Sequence, residues 1–269
     1  MTEHPLPYAV NLSILFTELP LLDRPAAARA AGADAVEFWW PFATATPDDA
    51  EVEEFVRAVE QAGVRLVGLN LFAGDMPGGD RGLVSWPGRE QEFADSVAVA
   101  ARIGDRLGCR AFNALYGNRI DGVDPAAQDD LAVRNLAFAA RALAGIGGTV
   151  LLEPVSGIAA YPLKSAADVV GVLDRVRAAQ GAANLGLLAD LYHLATNGDD
   201  LDKVVERYAD RIAHVQIADA PGRHEPGTGA LDLFGYVGKL AAAGYRGHVA
   251  AEYVPTGASA DSLAWLPTA

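Results

Sequence analysis

The sequence T-V-L-L-E-P-V at residues 149–155 begins with apolar residues typical of a buried strand and ends near a carboxylate. A helix-like segment follows at residues 165–179, where Ser165 is a candidate N-cap and Asp168 stands three positions later. A second apolar run comes next, at residues 185–189. A strand, a helix and another strand in this order predict a βαβ unit with two parallel strands.

The same alternation continues along the chain in both directions. The apolar runs are residues 10–15, 35–40, 65–71, 111–116, 149–155, 185–189, 212–218 and 248–254. Eight such runs, each followed by a helix or helix-like piece, predict a parallel (β/α)8 barrel, a fold that often occupies about 250 residues as one domain. We therefore predict a single domain over residues 1–269. An open doubly wound sheet is the alternative, but no G-x-G-x-x-G follows the first run.

The segments between these runs carry helical patterns. One helix is predicted to begin near Pro47, Asp48 and Asp49 and to end at Gly63. Its apolar residues recur at the spacing of one helical face: Val52, Phe55, Val56, Val59 and Ala62. Further helices are predicted at residues 21–31, 125–144 and 231–243, and a long glycine-rich loop is predicted at residues 73–88.

Composition excludes several classes of partner. The chain is 51% hydrophobic and 21% charged, with a formal net charge of −14. Binding to nucleic acid or to an anionic membrane surface needs clustered Lys and Arg, which this balance disfavours. A single cysteine, Cys109, allows no intramolecular disulfide and no thiolate cluster, and we expect it to be buried. We expect no signal peptide and no membrane span, and therefore a cytoplasmic protein; a homo-oligomer is left open.

Four successive predicted strands present a side-chain oxygen near their ends, from Glu153, Asp190, Gln216 and Glu252. Catalytic residues of such barrels lie at the carboxyl ends of the strands, so these side chains are expected to converge. Buried carboxylates repel one another unless a cation pairs with them, and oxygen ligands suit Mg²⁺ or Mn²⁺. Taken singly, Glu153 could simply end a strand, Asp190 could cap the next segment, and Gln216 could bond within the barrel. Their conjunction predicts one divalent metal site.

Several motifs carry a family resemblance that spans nearly the whole chain. They are N-L-S-I-L-F (11–16), V-E-F-W-W-P (36–41), N-L-F-A-G-D (70–75), G-D-R-G-L (79–83), P-G-R-E-Q-E-F (87–93), L-L-E-P-V, D-L-Y-H, H-V-Q-I-A-D and P-G-R-H-E-P-G-T-G (221–229). With these motifs the chain resembles the hydroxypyruvate isomerase family, within the xylose isomerase-like TIM-barrel superfamily. The last motif is the most specific of the set.

The resemblance implies an isomerase that interconverts hydroxypyruvate and tartronate semialdehyde, or a close hydroxy-keto acid, through an enediolate. It implies ligation of the metal by the four strand-end residues, with proton transfer by Glu153 and Glu252. It also implies that His193 and Arg223 contact the substrate and that Glu225 orients a neighbour such as His193. The planar guanidinium group is suited to binding a carboxylate, so Arg223 is expected to bind the carboxylate of the substrate.

Two departures from the family pattern bear on the substrate. This chain has Leu69 and Asn70 where the family often has His-Asn, so Asn70 is the remaining expected polar contact. The loop P-V-S-G-I-A-A-Y-P-L, after Glu153, lacks the usual Asn and Asp. A related sugar or 2-oxo-tetronate isomerase or epimerase is therefore an alternative. A metal-dependent endonuclease is disfavoured by the net charge, and a degenerate ligand-binding barrel is disfavoured by the Glu153 and Glu252 pair.

Overall fold

The computed structural model describes residues 5–267, and eight strands in this range form one closed parallel barrel. Each strand pairs with its neighbours in chain order, and β1 pairs with β8 to close the barrel. This confirms the predicted (β/α)8 fold. The strands are β1 Tyr8–Asn11, β2 Ala35–Phe38, β3 Arg65–Asn70, β4 Ala111–Asn113, β5 Thr149–Leu152, β6 Leu185–Asp190, β7 Ile212–Ile217 and β8 Val249–Ala251.

Helices connect the strands, and local signals in the sequence set several of their ends. Asp48 and Glu51 form a capping box at the start of α2, and Ser165 and Asp168 form another at the start of α5. Gly63 ends α2 in the left-handed region, at φ 67°. The helices are α1 Arg24–Ala30, α2 Asp49–Ala62, α3 Glu90–Leu107, α4 Pro125–Ala144, α5 Ala166–Gln180, α6 Leu191–Thr196, α7 Leu201–Tyr208, α8 Leu233–Ala242 and α9 Ser259–Ser262.

The first βα unit differs from its prediction. The strand was expected at residues 10–15, but β1 starts at Tyr8 and ends at Asn11. The Asn11 side chain accepts a hydrogen bond from Ser13 N at 2.9 Å, and its backbone carbonyl accepts one from Leu15 N at 3.0 Å. Such an Asx turn bends the chain away from the sheet even though the following residues are apolar.

Six of the remaining seven strands end earlier than their apolar runs, whereas β6 ends one residue later, at Asp190. The structure ends β5 at Leu152 and β8 at Ala251, so Glu153 and Glu252 are the first residues of the loops that follow. Loops after the strands of a parallel barrel meet at its carboxyl end. Among the described residues, no helix is both long and apolar enough to cross a bilayer.

Cys109 is fully buried before β4, and its thiol should be unreactive in the folded protein. Burial raises the pKa of this thiol to about 12, and the thiolate is the reactive species. We expect a thiol reagent such as DTNB at pH 8 to modify the native protein on the order of 100-fold more slowly than the denatured chain. Rapid stoichiometric labelling of the native protein, followed by absorbance, would contradict this.

Candidate active site

Four buried polar side chains lie at the carboxyl ends of β5 to β8. Glu153 directly follows β5, Asp190 ends β6 and Glu252 directly follows β8. Gln216, next to last in β7, is in register with Asp190. Their exposed fractions are 5% for Glu153, 0% for Asp190, 2% for Gln216 and 3% for Glu252. Polar groups buried this deeply need partners of their own.

A cavity of about 860 Å³ opens at this end of the barrel, a size within the range of small-molecule sites, roughly 300–1,000 Å³. The site residues expected from the sequence that line it are Asn70, Glu153, His193, Arg223 and Glu252. Aromatic side chains also line it, namely Trp39, Trp40, Phe42 and Phe72. The cavity therefore combines acidic groups, one histidine and an apolar surface that limits contact with water.

Two carboxylates and one imidazole approach one another at the carboxyl end of the barrel. One ligand atom each from Glu153, Asp190 and His193 lies within 4.8 Å of the others. His193 Nε2 is 3.7 Å from Glu153 Oε1 and 3.7 Å from Asp190 Oδ2. Asn113, the last residue of β4, donates to Glu153 Oε2 at 2.7 Å, which leaves Oε1 facing the cluster.

Two of the expected metal ligands, and the neighbouring Asn113, each carry a buried oxygen atom that has no hydrogen-bond donor in the described part of the chain. These atoms are Asp190 Oδ2, Gln216 Oε1 and Asn113 Oδ1. Asp190 Oδ1, by contrast, caps α6 by accepting from Tyr192 N at 2.8 Å and from His193 N at 3.2 Å. Unpaired buried oxygens are uncommon, and a hard divalent cation would satisfy them. The donor set of carboxylates and an amide therefore fits Mg²⁺ or Mn²⁺.

The two glutamates carry pKa values shifted upward. Burial raises the pKa of Glu153 to about 8, and the neighbouring charge of Asp190 adds to the shift. Burial also raises the pKa of Glu252 well above its usual value, although Arg223 opposes this shift. Without a cation, burial therefore favours the protonated form of these carboxyl groups, whereas a bound divalent ion would favour the ionised form that can act as a base.

Arg223 supplies a positive charge beside Glu252. Its Nη2 donates to Glu252 Oε1 at 2.9 Å and lies 3.8 Å from Asp190 Oδ2. Trp39 Nε1 donates to the same Glu252 oxygen at 3.0 Å. The backbone of Arg223 has φ 61°, an uncommon left-handed conformation for a bulky residue. Such conformations cluster at functional sites, where the surrounding structure holds them.

His193 is fixed in one orientation by Ser156. Its Nδ1 accepts from Ser156 N at 3.1 Å and lies 2.7 Å from Ser156 Oγ. Because a backbone N–H can only donate, Nδ1 is unprotonated and the neutral ring carries its proton on Nε2. Burial lowers the pKa of His193, which favours this neutral form. The Nε2–H group of His193 is 3.7 Å from a carboxylate oxygen of Glu153 and from one of Asp190, too far for a hydrogen bond, and His193 lines the cavity.

The expected contact between Glu225 and His193 is wrong. The Glu225 carboxylate accepts from Thr256 N at 3.1 Å and from Thr256 Oγ1, whereas His193 is held by Ser156. The loop after β7 explains the difference. Asp219 accepts from Ala220, Gly227 and Leu231 backbone N–H groups, and this bends the loop. Its turn directs Arg223 into the cavity and leaves Glu225 against the β8 loop.

Asn70 lies where the sequence places it. It is the last residue of β3, is 8% exposed and lines the cavity. It is in register with Asn113 of β4. Its amide is therefore in position to contact a bound ligand.

Sequence reasoning missed a buried carboxylate in β2. Glu37 is 3% exposed and accepts hydrogen bonds from Asn11 and Gln216. His214 Nε2 contacts the same carboxylate at 2.6 Å. The signal was present as a lone acidic residue between Val36 and Phe38, an unusual position for an unpaired charge.

Known proteins are similar to this chain over nearly its whole length. Residues 25–269 match the family described as xylose isomerase-like TIM barrel. A Streptomyces coelicolor protein named "Putative hydroxypyruvate isomerase" is 53% identical over 265 residues, which cover 97% of this chain and 95% of that protein. The 2-oxo-tetronate isomerase of Cupriavidus necator is 34% identical over 264 residues, covering 96% of each chain.

A solved structure is similar over nearly the full length. It is the crystal structure of a protein named AP endonuclease, family 2, from Brucella melitensis. The TM-score is 0.87 at 35% identity, covering 97% of this chain and 98% of that one. The chain therefore belongs to the xylose isomerase-like TIM-barrel family and, within it, to the hydroxypyruvate isomerases, which are enzymes of the isomerase class.

Proposed function

We propose that this chain is a metal-dependent isomerase that interconverts hydroxypyruvate and tartronate semialdehyde, or a close hydroxy-keto acid, through an enediolate. One observation carries the proposal. Two buried glutamates, Glu153 and Glu252, line the same cavity, and the other two expected ligands, Asp190 and Gln216, each carry a buried oxygen without a hydrogen-bond donor among the described residues. The similarity to the Streptomyces coelicolor relative supports the choice of substrate.

The residues at the strand ends are assigned two roles, metal binding and proton transfer. Glu153, Asp190, Gln216 and Glu252 would hold Mg²⁺ or Mn²⁺. When bound, the ion would polarise the carbonyl and hydroxyl oxygens of the substrate. In hydroxypyruvate, one glutamate removes a proton from C3 and the other delivers a proton to C2. The hydroxyl proton passes from the C3 oxygen to the C2 oxygen, so the carbonyl moves from C2 to C3.

Three other polar groups bind and orient the substrate. His193 donates a hydrogen bond from its Nε2–H group to a substrate oxygen, and Asn70 contacts the substrate from the β3 side. Arg223 pairs with the substrate carboxylate, for which its planar donors are suited. The aromatic side chains that line the cavity reduce access of water to the enediolate.

A four-carbon 2-oxo-tetronate is the second candidate substrate. The Cupriavidus necator relative is named for this activity, and the cavity of about 860 Å³ leaves room for a substrate longer than three carbons. The deciding experiment is a panel of hydroxypyruvate, 2-oxo-tetronates and neutral ketoses, each with added Mn²⁺ or Mg²⁺. Proton NMR in deuterated water would record both isomerisation and exchange. No turnover and no exchange with any member would contradict the isomerase proposal.

Removal of the metal should remove activity without unfolding the protein. We expect EDTA followed by desalting to lower the rate at least 100-fold, and Mn²⁺ or Mg²⁺ to restore it, since an ion that acts as a Lewis acid contributes several kcal/mol to the barrier. Circular dichroism before and after chelation is the control for folding. Full activity in a chelated sample shown by elemental analysis to be metal-free would contradict the proposed metal dependence.

A further inference from the structure

A buried hydrogen-bond network lies in the barrel interior beneath the proposed metal site. The Glu37 carboxylate on β2 accepts from Asn11 Nδ2 at 2.8 Å and from Gln216 Nε2 at 2.6 Å, both at Oε1. Its Oε2 lies 2.6 Å from His214 Nε2. In the barrel, β2 and β7 are separated by β1 and β8, so these bonds from Glu37 to β7 cross the interior.

The backbone makes room for Glu37 in this interior. A Cβ atom placed on Gly68, in the neighbouring strand β3, would lie 2.9 Å from Glu37 Oε2 and 3.1 Å from its Cβ. The pairing of β2 with β3 also shifts register between Val36 and Glu37. A register shift changes the direction in which a side chain points. Glycine weakens a strand, and it often marks a position that another group approaches closely. The two features together accommodate a large acidic side chain.

Glu37 determines which way the Gln216 amide points. A carboxylate oxygen accepts, so Gln216 must direct its NH₂ group to Glu37. Its Oε1 is then the atom without a hydrogen-bond partner among the described residues. The opposite orientation has nearly the same shape, but it would present two N–H groups to a cation and a carbonyl oxygen to a carboxylate.

We propose that Glu37 is a positioning residue, which turns the Gln216 amide so that its oxygen is available to the divalent ion. The inference rests on the proposed metal site and adds an orienting group to it. A neutral amide is a ligand only when its oxygen faces the ion, whereas a carboxylate ligand needs no such orientation. Partners of this kind commonly contribute 10–100-fold to metal affinity.

The test measures Mn²⁺ affinity by calorimetry, in the absence of substrate. Glu37→Gln keeps the size of the side chain but offers Gln216 both a donor and an acceptor. We expect this variant to bind Mn²⁺ at least tenfold more weakly than the wild type. The double variant Glu37→Gln with Gln216→Glu should recover part of the affinity, because a carboxylate presents an oxygen in either orientation.

A matched control separates positioning from general destabilisation. Asn135 is a buried amide on α4 that donates to Val84 O at 2.9 Å. Asn135→Ala should lower the melting temperature and leave Mn²⁺ affinity unchanged. If Glu37→Gln does not fold, Glu37→Asp replaces it, since the shorter anion withdraws the acceptor from Gln216, and the same loss of affinity is expected.

The outcomes separate the inference from the proposed function. If the wild type binds Mn²⁺ and the Glu37 variant has a dissociation constant for Mn²⁺ within twofold of the wild-type value, the positioning role is overturned while the metal site stands. If the double variant recovers no Mn²⁺ affinity, the positioning role of Glu37 is also overturned. If the wild-type protein itself binds neither Mn²⁺ nor Mg²⁺, the proposed metal-dependent function fails and the inference fails with it.

Discussion

Replacing Glu153 or Glu252 with glutamine is expected to abolish measurable turnover while the barrel remains folded. General acid–base transfer contributes roughly 10²–10⁴-fold, so kcat should fall by at least that range in each variant. Glutamine keeps the shape of the side chain but cannot exchange the transferred proton. It also removes an anionic ligand from the proposed metal site, so the loss should lie towards the upper end.

Steady-state kinetics with saturating Mn²⁺ measures the effect, with circular dichroism as the check on folding. Glu54→Gln, at an exposed position of α2, changes the net charge by the same amount away from the cavity. It should retain wild-type kcat. Activity within a few-fold of the wild type in either active-site variant would show that the two-glutamate mechanism is wrong.

Exchange of the substrate proton with solvent can show which glutamate removes that proton and which one returns it. The variant that retains the abstracting glutamate should still exchange the substrate proton with deuterated water, although it does not turn over. The other variant should do neither. Equal exchange by both variants would mean that a different group removes the proton.

Much of the fold could be predicted because its signal is local and repeated. The placement of Glu153, Asp190 and Glu252 followed from one rule, that side chains at the carboxyl ends of parallel strands meet. Asp190 shows that a structural role does not exclude a functional one. Its Oδ1 caps α6, while its Oδ2 is left without a hydrogen-bond donor among the described residues.

The features that escaped prediction depend on contacts between distant strands or on loop geometry. Glu37 meets Gln216 at a separation of 179 residues, across the barrel, and no local pattern encodes that pairing. Glu225 was misplaced because the direction of its side chain depends on backbone hydrogen bonds to Asp219. The early end of β1 came from an Asx turn at Asn11, which an apolar pattern does not reveal.

Arg223→Ala is expected to lower kcat/KM for an acidic substrate by roughly 30-fold or more. Removing one partner of a buried, hydrogen-bonded charge pair costs about 2–5 kcal/mol, and the lower value corresponds to that factor. The structure shows Arg223 already beside Glu252 and Asp190, so it balances acidic groups that would otherwise repel a substrate carboxylate. Arg223→Lys should recover only part of the loss, because a point charge lacks the planar donors of the guanidinium.

Arg81→Ala is the matched control for Arg223→Ala, since it also removes one positive charge from the lining of the same cavity. Arg81 bonds through Nη1 to the backbone carbonyls of Met76 and Asp80, so its loss removes a charge and two loop hydrogen bonds but leaves the contact of Arg223 with Glu252 in place. The measurement compares hydroxypyruvate with a neutral ketose in all three variants. Arg223→Ala should lower kcat/KM far more for hydroxypyruvate than for the ketose.

An equal loss of kcat/KM on both substrates would mean that Arg223 acts through Glu252 and the loop and does not recognise a carboxylate. The sugar isomerase or epimerase alternative would then be favoured over the hydroxy-keto acid.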